Sequence, residues 1–184
     1  NTSDFSTYLN KAKNEGVDVI FCPVSISYST QIVKLAASMG LDIPLLGSDT
    51  LDSNMVLEAA QGSNVQLYVS TFYQEGGSPK FDDGIKAWLN EDSTAMTNNG
   101  GNDTIAAVTA MGYDAYYVAL EALKAAGSTD KAAVKAALPD VTYTGVSGSI
   151  AFDEQGDAIR DTAYIKTADT ANNAWTLETV QTVE

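Results

Sequence analysis

Residues 16–50 read GVDVIFCPVSISYSTQIVKLAASMGLDIPLLGSDT, and their pattern decides the fold. Two short apolar runs, 17–24 (VDVIFCPV) and 43–47 (IPLLG), lie either side of TQIVKLAASMG, 30–40. Each run is continuous and carries β-branched residues, the pattern of a strand covered on both faces. The segment between them is amphipathic and closes on Gly40, as helices do. SISYS, 25–29, reads as a polar turn joining strand to helix. The first run holds the only cysteine, Cys22, read as a small buried hydrophobe.

Working outward, Phe5, Leu9 and Ala12 share one face of an earlier helix that Gly16 stops. Thr2, Ser3 or Asp4 is placed to cap it. Beyond residue 50 come a short helix over 53–60 and a strand over 65–73. The order β-α-β-α-β with short links calls for a parallel sheet with right-handed crossovers. After Tyr73 the character changes. QEGGSP is a loop, 79–91 a helix, and EDSTAMTNNGGND, 91–103, a polar link. The longest helical stretch runs over 104–126. Ser128 opens another helix, which Pro139 ends. GSIAFDEQGDAIRDTAYIKT reads as a hairpin turning at residues 155–157, and AWTLETV as a last strand.

The chain has 184 residues, 24 acidic against 10 basic, and a formal net charge of −14. Such a surface repels phosphate backbones and anionic lipid, which argues against nucleic-acid or membrane-surface partners. There is no histidine. That removes Ser-His-Asp and Cys-His catalysis and the commonest zinc ligand. No apolar run approaches the roughly 20 residues of a membrane span. The chain does not begin with Met and shows no signal peptide, so a processed or truncated chain is expected, with its location left open.

Candidate site residues cluster at strand ends. In open α/β sheets, ligands bind outside the carboxyl ends of the strands. Asp49 follows the second strand there. It either caps the next helix or pairs with a ligand cation; Asp52 or Ser53 lies nearer that helix. Ser25, Ser27 and Tyr28 follow the preceding strand as site hydroxyls or as an ordinary turn and cap. Phe72 and Tyr73 end the third strand, as pocket walls or as packing. Thr50 is added by position. FDEQGD lacks the ligand spacing of a calcium loop and is read as a turn. Neither GGSP nor NNGG has phosphate-loop spacing. No cofactor or metal is implied.

The succession DFSTYLNKAKNEGVDVIF, QIVKLAASMGLDIPLLGSD, GYDAYYVALEALKAAGSTD and GVSGSIAFDEQGD resembles the periplasmic binding proteins of branched-chain amino acid ABC importers. The resemblance implies a type I periplasmic-binding-protein fold, a three-layer α/β sandwich with a parallel sheet in each of two lobes. The chain would be an incomplete two-lobed protein: 1–73 in the second lobe, 74–160 returning to the first, and 161–184 crossing back. Asp49 would match the acid that pairs with a ligand ammonium. Ser25 would match a contact that carries an aromatic ring in the best-known members. The implied function is an extracytoplasmic receptor that closes on an amino acid, branched-chain or related, and docks on an ABC permease. The rivals are a ligand-sensing domain of a signalling protein and an α/β enzyme. A half protein with open sheet edges is also expected to self-associate.

Overall fold

The structure, a computed structural model, describes residues 4–182. The chain starts with α1 (Ser6–Glu15), β1 (Ile20–Phe21), α2 (Ile26–Ser38), β2 (Leu45–Gly47), α3 (Asn54–Ala60) and β3 (Leu67–Thr71). β1 pairs with β2, and β2 with β3, all parallel. This is the β-α-β-α-β unit expected from the apolar runs. Its core joins Leu9, Val33, Ala36, Leu45, Val56, Leu67 and Val69.

Two local readings change, and two that were left open are resolved. β1 is not covered on both faces. It is the edge of its sheet, Phe21 is 65% exposed, and Pro23 ends the ladder because it has no N–H. SISYS is the first turn of α2 rather than a loop. The buried Ser29 hydroxyl donates to the carbonyls of Ser25 and Ile26, and Thr30 donates to Ile26, so polar side chains are satisfied inside the helix. Asp4 accepts a hydrogen bond from Ser6 N–H ahead of α1; Thr2 and Ser3 lie outside the described residues. Asp52 does not cap α3, since Ser53 accepts from Met55 N–H instead.

The chain then leaves the sheet. α4 (Pro79–Glu91) precedes α5 (Ser93–Asn98), which replaces the expected polar link. Asp92 makes this helix by accepting from the N–H groups of Thr94 and Ala95, a cap that composition alone conceals. α6 (Ala107–Ala126) and α7 (Lys131–Ala137) follow, with Asp130 capping the latter. β4 (Tyr143–Gly145), β5 (Gly148–Phe152) and β6 (Ala158–Ile159) form a small antiparallel sheet. The β5–β6 turn is closed by Asp153, which accepts from Gln155 and Asp157 N–H. Finally β7 (Thr162–Asp169) returns antiparallel beside β3, and β8 (Ala174–Thr182) pairs with β7. The five-stranded sheet is therefore mixed, parallel over β1–β3 and antiparallel over β7–β8.

Asp114 of α6 holds the small sheet to its helix. Its buried carboxylate accepts from Val146 N–H, Ser147 N–H and the Ser147 hydroxyl, and Arg160 donates to Ser147 in turn.

Candidate functional site

The carboxyl ends of β1 and β2 open on the same side because the strands are parallel. Two loops leave there. After β1, Ser25 starts α2 in extended geometry without capping it; its hydroxyl lies 3.1 Å from that of Ser27. After β2, Asp49–Leu51 makes one 3-10 turn. The Thr50 hydroxyl donates to Val24 carbonyl at 2.8 Å and lies 3.0 Å from Ser48, stapling the loops together. Gly47 serves this turn by leaving space for Leu51. A Cβ there would collide with the fully buried Leu51.

A cleft of about 650 Å³ begins at these loops. Ser25, Asp49 and Thr50 line it, as do Ile26 and Met55. The facing wall comes from the end of α5 and the start of α6, with Asn99, Ala106 and Val108. Asn54 crosses between the walls, donating from Nδ2 to Asn99 carbonyl at 2.8 Å and to Asn102 at 2.9 Å. Gly100 eases this approach: its φ is 79°, in the left-handed region, and a Cβ there would sit tight against Asn54 Cβ at 3.1 Å.

Asp49 is half-buried, and among the described residues its carboxylate has neither a hydrogen-bond donor nor a cation within reach. It does not cap α3, a job taken by Ser53. α2, of 13 residues, also starts at the cleft without a side-chain cap, whereas the first N–H of α6, that of Ala107, is taken by the Asp52 carboxylate. Helix starts carry free N–H groups and a partial positive charge. The cleft thus offers an unpaired anion beside the electropositive start of α2. Isoleucine, methionine and valine side chains at its rim supply apolar surface.

Three expected site residues are elsewhere. Tyr28 lies a turn further into α2 and packs edge-on against Phe5 at 5.8 Å. Phe72 carries the Arg160 guanidinium over its ring at 5.1 Å. Tyr73 is 1% exposed, edge-on to Phe81, and its hydroxyl donates to Asp82 at 2.6 Å. Burial, then the Asp82 contact, pushes its pKa well above the usual tyrosine value. Tyr73 is core, because the chain bends off the sheet after Thr71 and carries it into a second cluster with Ile105 and Ala110. The facing-wall residues escaped sequence reading. NNGG looks like a featureless linker, and only the fold brings Asn54 to it.

A family model described as periplasmic binding protein matches residues 1–173. A Leu/Ile/Val-binding protein homologue of Brucella abortus is 30% identical over 155 residues, covering 84% of this chain and 39% of that protein. The crystal structure of a leucine-binding protein, LivK, from Thermotoga maritima matches at 26% identity and TM-score 0.75, covering 98% of this chain and 49% of that one. A solute-binding protein of an R. palustris ABC transporter, solved in complex with benzoate, has TM-score 0.75 at 15% identity and shows the shared fold. The chain spans about half the length of these relatives or less.

Proposed function

We propose, starting from the fact that this chain belongs to the periplasmic binding protein family, that it forms part of a solute receptor closing on an α-amino acid. The observation carrying this reading is the partnerless Asp49 carboxylate in a cleft where the uncapped helix α2 begins. An ammonium complements Asp49, a carboxylate complements the start of α2, and the apolar rim suits an aliphatic side chain. A free carboxylate set in a cleft is costly without a cation, and a zwitterionic ligand supplies one. The leucine-binding and Leu/Ile/Val-binding relatives support this ligand class.

Residues 1–73 and 161–184 belong in this reading to one lobe and 74–160 to the other, with the cleft between them. Ligand contacts made only in the closed form shift a pre-existing equilibrium, and the closed form docks on an ABC permease outside the cytoplasmic membrane. Among the described residues no helix is long and apolar enough to cross a membrane.

The benzoate-bound neighbour motivates a second reading, an aromatic carboxylate ligand. Asp49 disfavours it, because a carboxylate without an ammonium meets an unpaired negative charge. Calorimetry on the full-length protein with L-leucine, L-isoleucine, L-alanine and benzoate separates the two. A charge-assisted contact contributes about 1.5–3 kcal/mol, so Asp49→Ala is expected to weaken amino-acid binding roughly 10- to 150-fold. Tight benzoate binding with no amino-acid binding, or an unchanged Kd in Asp49→Ala, overturns the proposal.

A further inference from the structure

Three residues beyond Asp49, the chain places a second carboxylate that the ligand reading does not use. Asp52 and Lys166 form an ion pair at 2.9 Å with side chains 1% and 3% exposed, among the described residues the only pair so removed from water. Asp52 Oδ2 also accepts from the Thr71 hydroxyl at 2.9 Å and from Ala107 N–H at 3.4 Å. One oxygen thus gathers the cleft loop, the last residue of β3, the middle of β7 and the first turn of α6. These are the points where the chain leaves the sheet, returns to it, and builds the facing wall of the cleft. Ala106 and Val108, either side of Ala107, line that wall.

Two details mark this junction as more than packing. The β7–β8 register shifts between Ile165 and Lys166, and such irregularities re-aim a side chain. Here the lysine points inward to Asp52. Of the three bonds on Asp52 Oδ2, that from Ala107 is the longest, 3.4 Å against 2.9 Å for Thr71 and Lys166, so the contact to α6 is the one with room to tighten. A buried ion pair is no general stability device, since apolar residues of similar volume commonly do as well.

We propose that the Asp52–Lys166 pair is a hinge pin. Asp52 is a positioning residue that sets the separation of the cleft walls, and its bond to the α6 end tightens as those walls close. This rests on the hinge-closing receptor reading above. Asp52 also lines the cleft, but it is 4% exposed and its Oδ2 is held by Lys166, Thr71 and Ala107, so in this proposal it acts on every ligand through the geometry of closure rather than as the ammonium's partner.

The test uses the full-length protein and the triple variant Asp52→Leu, Thr71→Val, Lys166→Met, which removes both charges and the buried hydroxyl together. L-leucine and L-alanine are titrated by calorimetry, and small-angle scattering is recorded without ligand. The expected result is a folded variant whose Kd rises at least tenfold for both ligands by the same factor, because the closure-competent fraction falls. Its ligand-free radius of gyration increases. Unchanged affinity and scattering in a folded variant refute the pin. Weakening confined to one ligand refutes it also, since that signals direct contact. If the triple variant fails to fold, Thr71→Val alone decides: a several-fold rise in both Kd values supports the pin, and unchanged values refute it. A wild-type protein that binds no amino acid refutes the receptor reading alone, and scattering of wild type and variant then decides the pin.

Discussion

Gly47→Ala tests the construction of the site most directly. A Cβ at residue 47 would run into the Leu51 side chain, with Leu51 Cγ at 2.9 Å and Cβ at 3.0 Å. A new Leu51 rotamer would relieve the Cδ2 and Cγ contacts only by moving a fully buried side chain, and would leave Cβ tight at 3.0 Å. Either that side chain or the 3-10 turn carrying Asp49 and Thr50 must therefore give way. Overpacking of this kind costs about 1–3 kcal/mol. Leu51 is fully buried, so Leu51→Ala alone costs about 2–5 kcal/mol. In the double variant the added methyl occupies part of the space that leucine vacates. The double variant is therefore expected to lose at least about 1 kcal/mol less than the sum of the single losses. Urea unfolding at constant m measures the cycle. Gly47→Ala is also expected to weaken amino-acid binding, and Leu51→Ala added to it to restore part of the loss. Additivity within about 0.5 kcal/mol, or a neutral Gly47→Ala, refutes the reasoning.

Other expectations follow from buried polar groups. Gly145→Ala pushes a methyl into the Asp114 carboxylate, which serves Val146 and Ser147, and is expected to cost about 3 kcal/mol or more in urea unfolding. Tyr73 has a raised folded pKa, so its stabilisation is complete below its unfolded value, about 10, and is lost as pH rises above that. Tyr73→Phe should accordingly flatten the decline of stability with alkaline pH, measured by thermal unfolding between neutrality and pH 11. Cys22 is buried, its thiol donates to Leu46 carbonyl at 3.6 Å, and burial raises its pKa. It should resist a thiol reagent until denaturant is added, and Cys22→Ser should lower stability without changing the ligand profile.

Comparison of expectation with structure divides along physical lines. Residues 16–50 carried the β-α-β order because apolar periodicity and helix-closing glycines are local signals. Asp49, Ser25 and Thr50 line one cleft, and their placement there was legible because strand ends follow from the strands. Local signals failed where side-chain hydrogen bonds set the outcome: Asp92 capping α5, and Ser29 satisfied within the first turn of α2.

By itself, then, the sequence determined the alternation of strands and helices, the acidic surface and the acid at the end of β2. All of these are read from residues near one another in the chain. Only the tertiary structure decided that β7 returns antiparallel beside β3, that Tyr73 is core, and that Asn54 meets the loop after α5. It alone brought Lys166 to Asp52, 114 residues away. A buried charge must find its partner wherever packing places one, and no periodicity along the chain records that distance.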